Sequence, residues 1–308
     1  MTSDTLLTVD GISRRYGARV AVHDLTLTLR RGEVLGLLGL NGAGKSTALQ
    51  MLTGVLAPDM GRVTLGGFDL ARDPKRAKRV LGYLPEVPPL YPEARVDEYL
   101  DFCAALHRVP AALRAEFVAA AKARCGLTTV GPRLIRNLSK GYQQRVGIAQ
   151  AIVHDPAVLI LDEPTSGLDP AQMHEMRELI RTLGTERAVL LSTHLLAEAA
   201  SICSRVVILH HGRMVYDAML NHDTHRLALE LRAAPPRAML AALTAVSAVH
   251  ELGAGKFEIE VDDFDRAAEA ISAAAWQHGW GLRELKVGDS ALERTFLGLT
   301  RDHTEVAT

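Results

Sequence analysis

The chain has 308 residues and a mass of 33.4 kDa, which is room for one large domain and a smaller one. Hydrophobic residues make up 48% and charged residues 23%, so the composition is that of a folded protein and excludes a disordered or fibrous chain. The 35 Lys and Arg residues nearly balance the 36 Asp and Glu residues, giving a formal net charge of -1; nucleic-acid binders usually show a basic excess, so we predict no nucleic-acid partner.

Neither the N-terminus nor the apolar runs have the pattern of a membrane segment. The start, Met1-Thr2-Ser3-Asp4, has no basic residue and no long apolar stretch behind it, so we expect no secretory signal. The apolar runs Val34 to Leu40 and Ala157 to Leu161 are too short for a transmembrane helix, which needs about 20 mostly apolar residues. If the protein serves a membrane process, we expect another chain to supply the membrane part.

Short apolar runs between Leu6 and about Tyr216 predict strands. They are Leu6 to Val9, Leu25 to Leu29, Val34 to Leu38, Arg62 to Leu65, Val158 to Leu161, Ala188 to Ser192 and Arg205 to Leu209. The third and fifth runs, and Val189 to Leu191 within the sixth, are apolar on both faces, which is typical of central parallel strands covered by helices. Glycine turns at Gly66-Gly67 and His211-Gly212 indicate hairpins at the edges. The pattern predicts an α/β core with an antiparallel β edge.

A helical segment interrupts this core, and the pattern changes near residue 221. Glu98 to Arg124 is helical in pattern with a break at Pro110, so we predict a helical subdomain over about 87–155 within a domain of residues 1–220. Residues 221–308 form a predicted accessory α+β domain. Its order of strand, helix, strand, strand, helix and strand is typical of a small ferredoxin-like domain.

Several local patterns support that order. Pro235-Pro236 opens an alanine-rich helix, Phe257 to Val261 alternates as a half-buried strand, Asp265 to His278 is helical and Gly281 to Val287 is a further strand. Ser290-Ala291-Leu292-Glu293 has the form of a capping box before a last helix. His222 and His225 have a spacing found in metal sites, but with no cysteine or carboxylate cluster nearby we interpret them as loop residues.

One glycine-rich stretch has the pattern of a phosphate-binding loop. Gly39-Leu40-Asn41-Gly42-Ala43-Gly44-Lys45-Ser46 fits G-x-x-x-x-G-K-[ST], and it lies between a buried-strand pattern and a helical one that runs from Thr47 to Leu52. Glycines allow backbone N–H groups to close around an anion, and the helix N-terminus adds positive potential. Lys45 would neutralise the outer phosphates and the Ser46 hydroxyl would bind Mg²⁺. The alternative is a glycine-rich turn with an incidental Lys-Ser pair.

A later strand ends in two carboxylates. Ala157-Val158-Leu159-Ile160-Leu161 is followed by Asp162 and Glu163. Asp162 is placed to hold the Mg²⁺ shell, and Glu163 is placed to polarise an attacking water at the carboxyl edge of the sheet. Without the phosphate loop, exposed acids at a strand end would be the preferred interpretation. With it, we predict a nucleotide-binding site in which these two carboxylates hold Mg²⁺ and polarise a water.

Further motifs resemble those of the ATP-binding subunits of ABC transporters. Leu138-Ser139-Lys140-Gly141-Tyr142-Gln143-Gln144-Arg145 is similar to that family's signature, Ser166-Gly167-Leu168-Asp169 to its D-loop and Ser192-Thr193-His194 to its switch histidine. Tyr16 matches the aromatic residue on which adenine stacks. The resemblance covers Leu6 to roughly Asp217. It implies a P-loop NTPase cassette of the ABC type that hydrolyses ATP with Mg²⁺.

The resemblance also implies roles for single residues and for a second subunit. His194 would contact the γ-phosphate and the water, beside Glu163 and Lys45 as the catalytic residues. The ATP-binding set would be Tyr16, Gly39, Leu40, Asn41, Gly42, Ala43, Gly44, Lys45, Ser46, Thr47, Ser139, Gly141 and Asp169, and the metal set Ser46, Glu86 and Asp162. In the family, the signature helix faces the nucleotide of the other subunit, so two copies form two composite sites.

The match has departures. Lys140 and Tyr142 replace the usual glycine and glutamine of the signature, and Glu86 stands where most members carry the Q-loop glutamine. A carboxylate at position 86 can still reach Mg²⁺ or water, but it adds negative charge near the γ-phosphate. We therefore expect slower turnover than in a relative with glutamine at this position.

The residue sequences of several motifs are most similar to those of bacterial exporter ATPases, a group that includes gliding-motility, drug-export and copper-maturation relatives. These pair two ATPase chains with a separate membrane permease, which implies a cytoplasmic protein bound to the inner face of the membrane. Val87 to Phe102, with its Pro88-Pro89-Leu90-Tyr91-Pro92 run, is the candidate permease contact. Two alternatives remain: a soluble ABC ATPase acting on ribosomes or DNA, and a regulatory module whose C-terminal domain senses a ligand.

Overall fold

The computed structural model describes residues 4–220 and 225–288, together with positions 296 and 298. These residues fall into two compact units, one within Met1–Leu220 and one within Asn221–Thr308. The predicted capping box at Ser290 to Glu293, the helix after it and His222 lie outside the described residues.

The first unit contains ten strands and seven helices among its described residues. Its strands are β1 (Thr5–Tyr16), β2 (Arg19–Arg30), β3 (Val34–Leu38), β4 (Met60–Leu65), β5 (Phe68–Asp69), β6 (Leu81–Leu84), β7 (Val158–Asp162), β8 (Ala188–Thr193), β9 (Arg205–His210) and β10 (Arg213–Met219). Its helices are α1 (Lys45–Leu52), α2 (Pro74–Arg79), α3 (Val96–Leu106), α4 (Ala111–Arg124), α5 (Lys140–Ile152), α6 (Pro170–Gly184) and α7 (Leu196–Ile202), with a 3-10 turn at Ile135–Asn137.

A six-stranded sheet forms the centre of this unit. Its strand order is β10-β9-β3-β8-β7-β6, parallel throughout except for β10, which pairs antiparallel with β9. Every residue of β3, β7 and β8 is buried, which confirms the prediction that these runs are central strands covered on both faces. The short edge strand β6 has no clear sequence signal, because Gly82 interrupts a run of only four residues.

An antiparallel sheet in the order β2-β1-β4-β5 packs against the parallel one. Strands β1 and β2 form a hairpin of 12 residues on each side, much longer than the apolar runs predict, because polar residues alternate outward along both strands. Leu7, Leu27 and Leu65 from this sheet share one buried core with Leu35 and Leu190 of the parallel sheet. The antiparallel β edge of the predicted fold class is confirmed.

Helices α3, α4 and α5 lie between β6 and β7 in the chain. Pro110 precedes the first residue of α4, which confirms the predicted break because proline fits a helix start but not a helix interior. Lys122 of α4 pairs with Asp97 of α3, and α3 and α4 both pack against α5. This segment supplies the helical part of the cassette.

The second unit has its own core. Its described elements are β11 (His225–Leu231), α8 (Arg237–Ala241), β12 (Val246–Gly253), β13 (Lys256–Val261), α9 (Phe264–Gln277) and β14 (Leu282–Val287). The strand order β12-β13-β11-β14, antiparallel throughout, is that of a ferredoxin-like βαββαβ unit. Phe257, Ile259 and Ile271 lie at the centre of its core.

Of two sequence interpretations in this second unit, one is wrong and one is confirmed. His225 is the first residue of β11 and pairs with Val261, so its interpretation as a loop residue is wrong. The predicted helix after Pro235-Pro236 is confirmed as α8, which spans five residues. Within residues 4–220 and 225–288, no group of three His, Cys, Asp or Glu side chains is arranged to hold a metal, and no helix is both long and apolar enough to cross a bilayer.

Candidate active site

The carboxyl ends of four parallel strands meet at one cavity of about 610 Å³. The phosphate loop follows β3, Glu86 follows β6, Asp162 and Glu163 end and follow β7, and His194 follows β8. Parallel strands place these side chains at the same sheet edge. The cavity is lined by Tyr16, Arg19, Ala21, Leu40, Asn41, Gly42, Gly44, Lys45, Ser46, Thr47, Glu86, Asp162, Glu163, Ser166 and His194.

The phosphate loop has a shape that requires glycine. Gly44 has φ +105, and a Cβ there would lie 2.4 Å from the carbonyl oxygen of Ala21. Helix α1 begins at the next residue, Lys45, so its first N–H groups point toward the cavity without intrahelical partners. The loop and the helix start together form a cradle for an anion.

Lys45 is the cation of the cradle. Its side chain is largely buried, and Nζ donates to the carbonyl oxygens of Gly39 at 2.6 Å and Leu40 at 3.4 Å. Nζ also lies 4.0 Å from a carboxylate oxygen of Glu163. Burial lowers the pKa of Lys45, against the attraction of Glu163, Asp162 and Glu86. The loop carbonyls and Glu163 therefore hold this ammonium at the rim of the cradle.

Asp162 is the buried last residue of β7. Its Oδ1 accepts a hydrogen bond from Ser192 Oγ at 2.5 Å, and Ser192 Oγ in turn accepts from the backbone N–H of Glu163 at 3.0 Å. Burial raises the pKa of Asp162, the Ser192 hydrogen bond lowers it, and the charge of Glu86 raises it again. Ser192 thus fixes both the carboxylate of Asp162 and the backbone that follows.

Glu163 has an unusual backbone for a glutamate, with φ +46, a left-handed conformation that non-glycine residues seldom adopt. Its side chain is 13% exposed and its Oε2 lies 2.9 Å from Nδ1 of His194, whose ring is half exposed. Burial raises the pKa of Glu163, while the charge and hydrogen bond of His194 and the charge of Lys45 lower it. The carboxylate therefore lines the cavity beside His194 and Lys45, in reach of a bound ligand.

The donor set of this cavity fits Mg²⁺. Glu86 and Asp162 contribute carboxylates and Ser46 contributes a hydroxyl, all lining the same space. These are oxygen ligands of the kind that Mg²⁺ prefers. The charge of Glu86 raises the pKa of Asp162, so the two carboxylates repel each other, and a divalent cation between them would relieve that repulsion.

Arg19 at the cavity and Ser192 just behind Asp162 are given no role in the sequence analysis. Arg19 lines the cavity beside Tyr16 and donates from Nη2 to the carbonyl of Gly42 at 3.3 Å. Its position three residues after Tyr16 is the only sequence signal for it. Ser192 is visible in the sequence as the neighbour of the Thr193-His194 pair, but its bond to Asp162 depends on the pairing of β7 with β8.

Some predicted site residues lie away from this cavity within the described structure. Ser139 caps α5, with Oγ accepting from the N–H of Tyr142 at 3.4 Å, and Gly141 follows in the first turn, where a Cβ would lie 2.7 Å from an oxygen of Gln172. Asp169 caps α6 by accepting from the N–H of Gln172 at 2.9 Å. Gly39 and Ala43 belong to the phosphate loop but do not line the cavity.

Comparisons with known proteins identify the family that this chain resembles. The family model described as ABC transporter matches residues 22–166. The linearmycin resistance ATP-binding protein LnrL of Bacillus subtilis (strain 168) is 30% identical over 96% of this chain and 98% of its own length. The bacitracin transport ATP-binding protein BcrA of Bacillus licheniformis is 33% identical over 71% of each chain.

Solved structures show the same fold. The ATP-binding subunit of an ABC transporter is 35% identical, with a TM-score of 0.64 over 70% of this chain and 90% of that one. The cbiO1 protein of Clostridium perfringens, part of the ABC transporter complex cbiONQ, is 29% identical, with a TM-score of 0.65 over 70% and 89%. The predicted cassette fold is confirmed, and the chain belongs to the ABC transporter ATP-binding proteins, a family of ATPases.

Proposed function

We propose that this chain hydrolyses ATP at the cavity between the phosphate loop and β7, as the motor subunit of an exporter. The observation that carries the proposal is the convergence of the glycine cradle, Lys45 and the Glu163–His194 pair on one space. Phosphoryl transfer to water depends mainly on positioning and charge stabilisation. This cavity offers both.

The binding steps follow from the contacts. The N–H groups of the loop and of the start of α1 would hold the phosphates, with Lys45 moving from its loop carbonyls to the outer phosphate oxygens. The ring of Tyr16, at the end of β1, would stack on adenine. Ser46, Glu86 and Asp162 would hold Mg²⁺, which when bound neutralises phosphate charge.

The proton step belongs to Glu163. One carboxylate oxygen accepts a proton from the attacking water, whose oxygen bonds to the γ-phosphorus while the bond from phosphorus to ADP breaks. His194 Nδ1, at 2.9 Å from Oε2, keeps the carboxylate in place. The raised pKa of Glu163 makes this carboxylate a stronger base than an exposed glutamate.

Replacing Lys45 with alanine should abolish nucleotide binding, whereas Glu163→Gln should keep binding and lose turnover, as measured by ATP affinity and phosphate release.

We further propose that the active form is a homodimer. Ser139, Gly141 and Asp169 match the family's motifs yet lie away from the cavity of their own chain. Their places at the starts of α5 and α6, where the positive end of each helix dipole favours an anion, suit a nucleotide held by a second copy. ATP between the two copies would close the dimer, and hydrolysis would release it.

A surface near α3 is the proposed contact for a membrane permease. Val87 is 79% exposed, Tyr91 53% and Phe102 42%, and the Tyr91 ring packs 5.6 Å from those of Tyr99 and Phe102. Tyr99 Oη also donates to the carbonyl of Pro89 at 2.8 Å, so the proline-rich loop is fixed on the helix. An exposed apolar patch of this kind marks a protein contact.

Named relatives support outward transport, since they include a Nod factor export ATP-binding protein and ATP-binding proteins of linearmycin resistance and bacitracin transport. The proposal places the chain on the cytoplasmic face of a membrane through its permease.

Purification of the tagged chain from detergent-solubilised membranes should bring down a polytopic membrane protein, and the Tyr91→Glu variant should fail to bring it down. Co-purifying ribosomes or nucleic acid would instead support the soluble ATPase.

A further inference from the structure

A fully buried carboxylate lies just outside the cavity. Glu198, in the first turn of α7, has no solvent exposure. Two hydroxyl groups donate to it, Thr165 Oγ1 to Oε1 at 2.5 Å and Thr193 Oγ1 to Oε2 at 2.5 Å. Both threonines are themselves buried. Burying a carboxylate is costly unless hydrogen bonds compensate it, so these bonds hold Glu198 in a single arrangement.

The two threonines belong to the two segments that carry the hydrolytic residues. Thr165 is two residues after Glu163, and Thr193 directly precedes His194. The N–H of Leu195 also donates to Thr193 Oγ1 at 3.0 Å, which fixes the backbone on the far side of His194. Glu198 is therefore the bridge between the segment after β7 and the segment after β8.

The segment after β7 needs such a bridge. The left-handed backbone of Glu163 is unfavourable for a residue with a Cβ and persists only where the surroundings determine it. Ser192 holds its N–H, and a turn follows in which Ser166 N–H donates to the carbonyl of Glu163 at 3.0 Å. Within this turn, Thr165 adds a buried side-chain hydrogen bond to α7.

We infer that Glu198 is a positioning residue for ATP hydrolysis: by accepting from Thr165 and Thr193 it holds Glu163 and His194 at hydrogen-bond distance. Glu198 does not line the cavity, so it acts through these two threonines and not on the nucleotide. This inference rests on the proposed function, because it assigns a role in the same hydrolytic step.

The test uses variants that keep shape and remove a hydroxyl. In the full-length protein, Thr165→Val and Thr193→Val should each lower kcat about tenfold, comparable to one hydrogen bond to a charged group. The KM for ATP and the affinity for a fluorescent ATP analogue should change by less than about twofold, because the cradle and Lys45 are untouched. Thr165→Ser and Thr193→Ser should have a kcat close to that of the wild type, since serine keeps the hydroxyl that donates to Glu198.

Thr53→Val is the matched control. Thr53 is a buried threonine whose Oγ1 donates to the carbonyl of Leu49 at the end of α1, so this change removes a buried hydroxyl without touching Glu198. If Thr165→Val and Thr193→Val lower kcat no more than Thr53→Val does, the inference is wrong. The same holds if the serine variants fail to restore kcat while folding as the wild type does.

Failure of the inference is distinguishable from failure of the proposed function. A wild-type protein that binds no ATP and releases no phosphate contradicts the proposed function and with it the inference. A wild-type protein that hydrolyses ATP, with valine variants equal to it in kcat, contradicts the inference alone. Thermal unfolding of each variant separates a lost position from a lost fold.

Discussion

At the scale of single residues, one hydroxyl group holds the two consecutive acidic residues at the end of β7. Ser192 Oγ donates to Asp162 and accepts from the N–H of Glu163. Ser192→Ala removes both bonds, so kcat should fall about 10- to 100-fold, because a hydrogen bond to a charged group contributes about 1.5–3 kcal/mol. Steady-state phosphate release measures this. The control Ser204→Ala removes a hydroxyl bonded to Val34 at the opposite end of the sheet. Its kcat should stay within about twofold of the wild-type value.

Glu86 is the residue-scale departure with the clearest consequence. Its carboxylate lines the cavity and raises the pKa of Asp162, so it adds negative charge where the γ-phosphate would lie. Glu86→Gln should raise kcat severalfold and change the Mg²⁺ concentration needed for half-maximal rate. Unchanged values of both would contradict the account. Glu93→Gln, on an exposed carboxylate of the same segment that pairs with Arg136, is the control.

At the scale of elements, a histidine pair joins the helical segment to the edge of the sheet. His107 follows α3 and His154 follows α5, and their rings stack 3.7 Å apart. His154 Nε2 lies 3.0 Å from the carbonyl of Leu81, the first residue of β6. Burial lowers the pKa of His154 to about 4, with a further lowering by His107, whose own pKa burial also lowers.

This pair makes stability depend on pH. The unfolded chain takes up a proton on His154 near pH 6.5, whereas the folded chain does so only near pH 4. The free energy of unfolding therefore decreases as the pH falls from about 6.5 to about 4. His154→Gln should flatten the loss of stability between pH 7 and pH 5, measured by urea unfolding. If the free energy of unfolding has the same pH dependence in His154→Gln as in the exposed control His174→Gln, this assignment to His154 is wrong.

The elements also show how far sequence patterns reach. The all-apolar strands β3, β7 and β8 and the phosphate loop are predictable, because buried parallel strands and a glycine cradle each leave a distinct pattern. The full length of β1 and β2 and the short strand β6 are not, because tertiary pairing decides them. Likewise, Tyr16, Asp162, Glu163 and His194 are found by motif, whereas the bridge through Glu198 exists only once β7 and β8 pair.

At the scale of the whole molecule, the two units have separate hydrophobic cores. Phe257 is a fully buried residue of the second core, which shares no member with the first. Phe257→Ala should destabilise the second unit by about 3–5 kcal/mol while basal ATP hydrolysis stays within about twofold. Calorimetry and phosphate release measure the two quantities, and a parallel loss of both would show that the units are energetically coupled.

The central claim is that the Lys45 cradle holds ATP and that a second copy completes the site through Ser139. Analytical ultracentrifugation of Glu163→Gln with Mg²⁺ and ATP, with the bound nucleotide quantified, tests it most directly. We predict that Glu163→Gln forms a two-chain species that retains ATP. The double variant Glu163→Gln, Lys45→Ala should remain a single chain under the same conditions. A single-chain species without bound nucleotide under the same conditions would contradict the account.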